Sequence, residues 1–444
     1  MSTINHREIS ISMTQKYDLP LFVKTIEFQG KYIILAPDFG QWIILENELQ
    51  RDMFFLLKSG HTIGDVRHQA KSQKDWQYLI EEIEGRHFFR VDEIEPERNF
   101  SLRIYLTKQC NMRCPHCFVY AGIAMENELT FSEISTLIKE SVANGCNKII
   151  LTGGEPSTHP QFLDILREIS KYQVYVQVLT NGTNWNEDLI TKSAPLIDEV
   201  QVSIDGFDED SNAQIRGKGN FSKALNSIET FCRHNIFVAL SITPTPELLF
   251  KNKDRYISFA KKLLDKYGQN RFEIIFAREF FIGREFDLDS ATSLRYMQVS
   301  DEVQNAVYDD NKILVFVRKH RYGNVTTNCG FGNLTINSIG DVYYCGRIET
   351  AVSHGNIRFD SYEKIFADRA LARMATSVQN IFPCCECDLR FICGGGSRLT
   401  CFSGLSNIKK IDFQSIKTVS RECSPEHKEE ILRLMIESDS LLCF

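Results

Sequence analysis

Apolar positions follow three different rhythms along the chain. From Leu21 to about Val91, short β-rich runs come first and helical spacing second. Phe22–Ile26 and Tyr32–Leu35 flank Gly30, and a Pro-Asp-Phe-Gly turn at 37–40 leads into Trp42–Leu45. Asn47–Lys58 and Lys74–Glu84 then space their apolar residues as amphipathic helices do. From about Ser101 to Gly283, strands and helices alternate. The predicted strands are Leu102–Leu106, Lys148–Leu151, Val174–Leu179, Glu199–Ser203, Val238–Ile242 and Phe272–Phe276. Helices over Thr130–Asn144, Gln161–Lys171 and Asn220–His234 fall between them. Six strands with intervening helices imply right-handed βαβ units and a parallel sheet, an α/β class whose chemistry gathers at the carboxyl ends of the strands. From Cys329 to Cys423 the periodicity fades into Cys and Gly, a composition that needs an inorganic staple to become ordered.

These rhythms divide the chain at an acidic, proline-bearing stretch near Asp92–Asn99, into units over 1–95, 96–310 and 311–444. A length of 444 residues suffices for two or three such units. The formal net charge of -7 gives no global reason to expect nucleic-acid binding. The first twenty residues hold no apolar secretion segment, and no run approaches a membrane span, so a cytoplasmic protein without a membrane partner is expected.

In that compartment 14 cysteines argue for metal or redox chemistry rather than a disulfide framework. Cys146, Cys232 and Cys443 stand alone, whereas the rest fall near 110–117 and 329–423. Cys110, Cys114 and Cys117 form a C-x3-C-x2-C loop directly after the first strand of the middle unit. Three thiolates can hold three irons of a cubane and leave the fourth open. An open iron can chelate the methionine end of S-adenosylmethionine, so that one electron breaks its C5′–S bond and releases a 5′-deoxyadenosyl radical. A zinc knuckle is the competing reading, but structural zinc generally wants four ligands.

On these residues the middle unit resembles the radical S-adenosylmethionine superfamily, whose partial (β/α)6 barrel it is then expected to adopt. Gly153-Gly154-Glu155-Pro156, after the second strand, matches that family's GGEP motif. The resemblance implies that its backbone binds the methionine amino group, with glycine where a Cβ would obstruct. Thr180 and Asn181 end the third strand and are expected in the same pocket. Ser203 and Asp205 resemble the ribose-contacting segment at the fourth strand. Arg216, in Arg-Gly-Lys-Gly, resembles the stretch that follows it in peptide-modifying members and could pair with the methionine carboxylate. Gly283-Arg284 is expected near adenine, and no residue stands out as a proton-transfer group.

The last unit resembles the SPASM extension of the same superfamily, a Cys-rich iron–sulfur domain. Cys384, Cys387, Cys393 and Cys423 then form one auxiliary site by resemblance. The other takes Cys329 and Cys345 plus either Cys401 or an unusual ligand, because Ser397 occupies the expected cysteine position. Cys385 reads as a bystander. Three 4Fe–4S clusters follow, one radical-generating and two auxiliary. A zinc alternative stays open for this block.

The Cys-free first unit resembles the small winged-helix-like α+β peptide-recognition domain of ribosomal-peptide modifiers, where a sheet edge accepts a leader peptide as an added strand. The function expected is therefore a peptide maturase. It takes hydrogen from a residue of a leader-bearing precursor peptide and closes a thioether or C–C/C–O cross-link in a net two-electron oxidation. Its electrons come from a donor such as flavodoxin or ferredoxin. Two alternatives stand beside it: formylglycine-forming sulfatase maturation, which in its family has an Asp where Gly346 stands here, and a metal-stapled peptide-binding scaffold without turnover.

Overall fold

The computed structural model describes residues 12–93, 99–280, 283–284, 288–308, 311–320, 325–346, 353–398 and 423–442. The first unit is an antiparallel sheet of β1 (Lys24–Phe28), β2 (Lys31–Ala36) and β3 (Gln41–Leu45), followed by α1 (Glu48–Lys58), α2 (Ile63–Arg67) and α3 (Gln73–Gly85). Gln29 and Gly30 both take positive φ, so β1 and β2 are joined by a two-residue turn of the type that matches strand twist. Asn47 caps α1 by accepting from Gln50 N, which fixes where strand gives way to helix. Apolar residues on one face of the sheet, among them Ile34, Ile43 and Leu45, pack against these helices. The other face, with Ile33, Leu35, Trp42 and Ile44, is buried on Phe316, Leu389, Ile392 and the C-terminal helix residues Ile431, Leu434 and Met435. The sheet is therefore covered on both faces, and only its edges remain for a partner.

Those two edges differ. At β3, the Ile44 N–H donates to Glu82 of α3 at 3.1 Å. At β1 the two-residue turn makes Phe28–Lys31 and every second pair inward the hydrogen-bonded ones, so the backbone groups of Thr25 and Glu27 point outward. No strand among the described residues pairs with that outer edge.

The middle unit supplies six parallel strands: β4 (Phe100–Tyr105), β5 (Cys146–Thr152), β6 (Tyr175–Thr180), β7 (Glu199–Ser203), β8 (Phe237–Ile242) and β9 (Phe272–Phe276). Intervening helices include α4 (Phe131–Ala143), α5 (Phe162–Ile169), α6 (Glu187–Ser193), α7 (Glu209–Arg216), α8 (Asn220–Arg233), α9 (Pro246–Tyr267) and α10 (Ser290–Val307). Alternation sets the two faces of the curved sheet. Leu102, Ile104, Ile149, Val178, Val200, Val202 and Leu240 enter the core beneath the helices. Arg103, Tyr105, Gln177 and Ser241 are left on the concave side. This is an α/β fold with a partial barrel.

Two further strands, β10 (Leu334–Ile336) and β11 (Val342–Tyr343), extend the same sheet beyond β4, giving the order β11-β10-β4-β5-β6-β7-β8-β9. The fading periodicity of the last block hides them, because strands of three and two residues carry no readable alternation and gain stability only by pairing, β10 with β4 and β11 with β10. The block also holds α11 (Asn311–His320), α12 (Tyr362–Ala375), α13 (Arg390–Cys393) and α14 (Pro425–Glu437). Arg358 anchors it to the barrel by donating to both carboxylate oxygens of Glu133 and to the carbonyls of Asn127 and Glu128. Among the described residues, no helix is long and apolar enough to cross a membrane.

Candidate active site

The first cysteine loop leaves β4 and is stitched to the loop after β5. Gly154 N donates to Thr107 O at 2.7 Å and Glu155 N to Gln109 O at 2.8 Å. The approach is so close that only glycine fits. A Cβ on Gly154 would stand 2.6 Å from the Gln109 carbonyl carbon and 2.7 Å from Lys108 O. Gly153 has φ +147°, and a Cβ there would press on the Thr107 backbone. Pro156 follows, buried, at the first position of a short 3-10 turn.

Glu155 faces inward and is fully buried. Its carboxylate accepts from Ser157 N and Oγ, Thr180 Oγ1 (2.7 Å) and Asn181 N (2.8 Å). Burial raises its pKa, against these four donors. Thr180 also receives Trp185 Nε1. The side chains of Glu155 and Thr180 are thus braces between two strand ends. Asn181 reaches the cysteine loop, donating to Asn111 Oδ1 at 2.8 Å with its Nδ2 3.9 Å from Cys110 Sγ.

Cys110, Cys114 and Cys117 are half-buried and mutually close enough to raise the cost of ionising one another. Burial pushes the Cys110 thiol up to about 11, and burial also raises Cys114, with Arg216 and Arg284 opposing. Thiols that resist ionisation as bare groups, beside two guanidiniums, suit a site whose thiolates are formed by metal binding. Among the described residues no three His, Cys, Asp or Glu side chains converge on a point that would hold a single ion. A cubane makes a different demand, since its irons sit at separate corners and its thiolates spread around it.

Asp205 lies at the end of β7, fully buried. It accepts from Arg216 Nε at 2.6 Å and Thr243 N at 2.9 Å, and faces His116 Nε2 at 3.1 Å. Burial alone would raise its pKa, but the charges of Arg216 and His116 outweigh it and hold the carboxyl at about 2. Arg216 therefore spends its Nε on Asp205, leaving only its terminal nitrogens for a ligand. His116 sits inside the cysteine loop, stacked on Phe280 at 6.0 Å, with its Nδ1 buried and unpartnered. In sequence His116 is only a residue between two cysteines; its contact with Asp205, which ties the loop to β7, has no signal in spacing. Gly283 lies directly over the His116 backbone, and Arg284 donates to Cys114 O at 3.3 Å. Ser203, half-buried at the end of β7, shares the concave face with Ser241.

The concave face of β4 carries a column from this loop toward a second group of cysteines. Thr107 meets Gly154, and Tyr105 next along donates to Gly346 O at 3.2 Å. Arg103 then lines a cavity of about 390 Å³ together with Cys329, Cys345, Gly346 and Ser397. Cys384, Cys387, Cys393 and Cys423 gather separately: each of the first three raises the cost of ionising Cys423. His427 lies 3.3 Å from Cys393 Sγ, and Lys319 donates to Cys393 O. Burial would raise Cys393, but His427 and Lys319 bring it below the usual thiol range, a setting that favours thiolate. Cys401 and Cys443 lie outside the described residues.

Family likeness agrees with this geometry. Residues 104–249 match the radical SAM superfamily, and residues 328–388 match the SPASM iron–sulfur cluster-binding domain. The antilisterial bacteriocin subtilosin biosynthesis protein AlbA of Bacillus subtilis is 28% identical over 271 residues, which is 59% of this chain and 58% of that protein. The sporulation killing factor maturation protein SkfB of the same organism is 32% identical over 145 residues, 32% of this chain and 35% of that one. The structure of anSMEcpe with bound AdoMet covers 77% of this chain and 99% of its own, at a TM-score of 0.54 and 16% identity, a likeness of fold. Residues 104–249 therefore form a radical SAM domain and residues 328–388 a SPASM iron–sulfur cluster-binding domain, in a chain whose match spans 58% of the length of AlbA.

Proposed function

We propose that the protein is a peptide maturase that abstracts hydrogen from a residue of a ribosomally made precursor and closes a cross-link in a net two-electron oxidation. When bound, the 4Fe–4S cluster supplies one electron to S-adenosylmethionine and yields a 5′-deoxyadenosyl radical. Cys110, Cys114 and Cys117 would hold that cluster, and the Gly153–Gly154 backbone would cradle the methionine end. Glu155 and Asp205 brace the cradle from behind. In this reading Arg216 offers its terminal nitrogens to the methionine carboxylate. Cys384, Cys387, Cys393 and Cys423 would hold one auxiliary cluster, Cys329 and Cys345 part of another, making three clusters in all. The units over 1–95, 96–310 and 311–444 would divide recognition, radical generation and electron acceptance among them.

One observation carries this reading. A single concave strand face, from Thr107 through Tyr105 to Arg103, links the cradle to the cavity of Cys329 and Cys345. A substrate lying along that face can give a hydrogen atom at one end and an electron at the other, which is what oxidative cross-linking requires. A peptide as substrate is supported by the open β1 edge, whose outward groups at Thr25 and Glu27 can add a strand. It is also supported by the names of the two Bacillus relatives. The electron donor would be a small flavodoxin- or ferredoxin-like protein.

The sulfatase-maturase reading fits less well. Gly346 offers no carboxylate beside Cys345, and no Asp or Glu lines the cavity among the described residues. The test is co-expression with each short open reading frame found beside its gene, followed by mass spectrometry of the peptide products. A peptide lighter by two hydrogens supports the proposal; a Cys or Ser converted to formylglycine in a sulfatase supports the alternative.

A further inference from the structure

Among the described residues, the cavity beside β4 offers two thiols, fewer than a cubane ordinarily takes. Cys329 and Cys345 line it, and among the described residues it has no other Cys, no His and no carboxylate. Ser397 lines it too. Ser397 is also unusually well placed. Gly394, Gly395 and Gly396 take φ of 80°, 74° and 71°, a left-handed run that only glycine adopts readily. At Gly394 a Cβ would collide with Thr326, and at Gly395 it would stand 3.3 Å from Cys384 Sγ. The run therefore passes against one cysteine group and delivers Ser397 to the other.

Arg398 locks that delivery. Its side chain is fully buried, and it donates to Thr376 O (2.6 Å), Gly394 O (3.0 Å), Gly396 O (2.8 Å) and Thr327 O (3.3 Å). Its backbone N–H donates to Cys329 Sγ at 3.3 Å. A second guanidinium, that of Arg103, fills the space left by the missing side chain of Gly346, where a Cβ would stand 2.9 Å from Arg103 Cζ. One cation, Arg103, thus lines a cavity whose described residues offer two thiols and the hydroxyls of Ser101, Thr335 and Ser397; of these hydroxyls, Ser397 alone lies in the cysteine-rich segment and is followed by a residue bonded to Cys329.

We propose that Ser397 is an oxygen ligand of the auxiliary cluster held by Cys329 and Cys345, with Arg398 as the residue that positions it. On binding, the Ser397 O–H bond breaks, an Fe–O bond forms and the proton leaves to solvent. No change of oxidation state is involved. Iron accepts hard oxygen donors, and a bound cation lowers the pKa of a coordinated hydroxyl. The Arg103 guanidinium, which lines the same cavity, stabilises the alkoxide further. This inference rests on the iron–sulfur reading of the domain and is independent of what the substrate is.

The test uses the full chain reconstituted anaerobically with iron and sulfide, read by iron and sulfide content, Mössbauer spectra and EPR-monitored redox titration. Ser397→Ala should lose iron from one cluster alone, leaving a three-iron species or an empty site. Ser397→Cys should keep the iron and move the midpoint potential of that one cluster. Wild-type iron content, spectra and potential in both variants would overturn the proposal. So would loss of the same cluster in Cys401→Ala with Ser397→Ala unchanged. Cys329→Ala/Cys345→Ala separates the premise from the inference: if that variant loses no iron, the cluster is not in this cavity at all.

Discussion

Replacing Gly154 by alanine puts one methyl group where the structure has no room for it. The new Cβ would stand 2.6 Å from the Gln109 carbonyl carbon and 2.7 Å from Lys108 O. Carbon atoms rest at about 3.5–4.0 Å, so one of the two backbones must retreat by about 1 Å. Neither neighbour is a flexible side chain that could turn aside. The retreat also breaks or stretches the bonds from Gly154 N to Thr107 O and from Glu155 N to Gln109 O, each of which contributes about 1 kcal/mol. A displacement of about 1 Å between reacting groups costs on the order of 100-fold in rate. Gly154→Ala should therefore form 5′-deoxyadenosine about 100-fold more slowly than wild type under dithionite. Iron content should stay equal, because no cysteine is touched. The assay is quantitative chromatography of 5′-deoxyadenosine over time, with the cluster checked by its absorbance and EPR signal. A variant that cleaves within about threefold of wild type would refute the close-approach argument.

Other expectations follow from contacts elsewhere. The Glu133 carboxyl is held at about 2, below its ordinary 4.5, chiefly by hydrogen bonds from Arg358. A depressed carboxyl contributes stability that is whole above pH 4.5 and is lost as the pH falls toward 2. Arg358→Gln should thus flatten the fall of melting temperature of cluster-free protein across that interval; parallel curves would contradict it. Arg86 is buried between Glu82 and Asp439, joining the first unit to the C-terminal end. Arg86→Ala leaves both carboxylates without their cation and should cost about 3–5 kcal/mol in urea unfolding; a loss under 1 kcal/mol would show the pair to be dispensable. Glu27→Pro removes an outward N–H from β1 without touching its ladder to β2. Precursor affinity should fall at least tenfold with the melting temperature unchanged. If Glu82→Ala, at the β3 edge, is the variant that changes affinity instead, the peptide enters on the other side.

Much of this architecture is legible in the sequence, and what escapes has a physical reason. All six barrel strands fall within two residues of the runs predicted from β-branched patterning, because each is long enough to show its buried face. The helix at Glu48–Lys58 begins one residue after Asn47, a capping side chain that sequence displays openly. The two glycines at 153 and 154 announce a close approach, and the structure shows what approaches. By contrast, β10 and β11 are too short for any period. The His116–Asp205 and Arg358–Glu133 contacts join residues 89 and 225 positions apart, a distance that patterning does not bridge. Gly346 reads in the sequence only as a missing carboxylate; that its gap admits Arg103 of β4 is a fact of packing.

In the proposed function, Cys110, Cys114 and Cys117 sustain reductive cleavage of S-adenosylmethionine. Reconstituted wild-type protein, given S-adenosylmethionine and a strong one-electron reductant, should release 5′-deoxyadenosine and methionine in equal amounts. The variant with all three cysteines changed to alanine should release neither while keeping its auxiliary iron. Undiminished 5′-deoxyadenosine from that variant would show that these cysteines do not hold the cluster that cleaves S-adenosylmethionine.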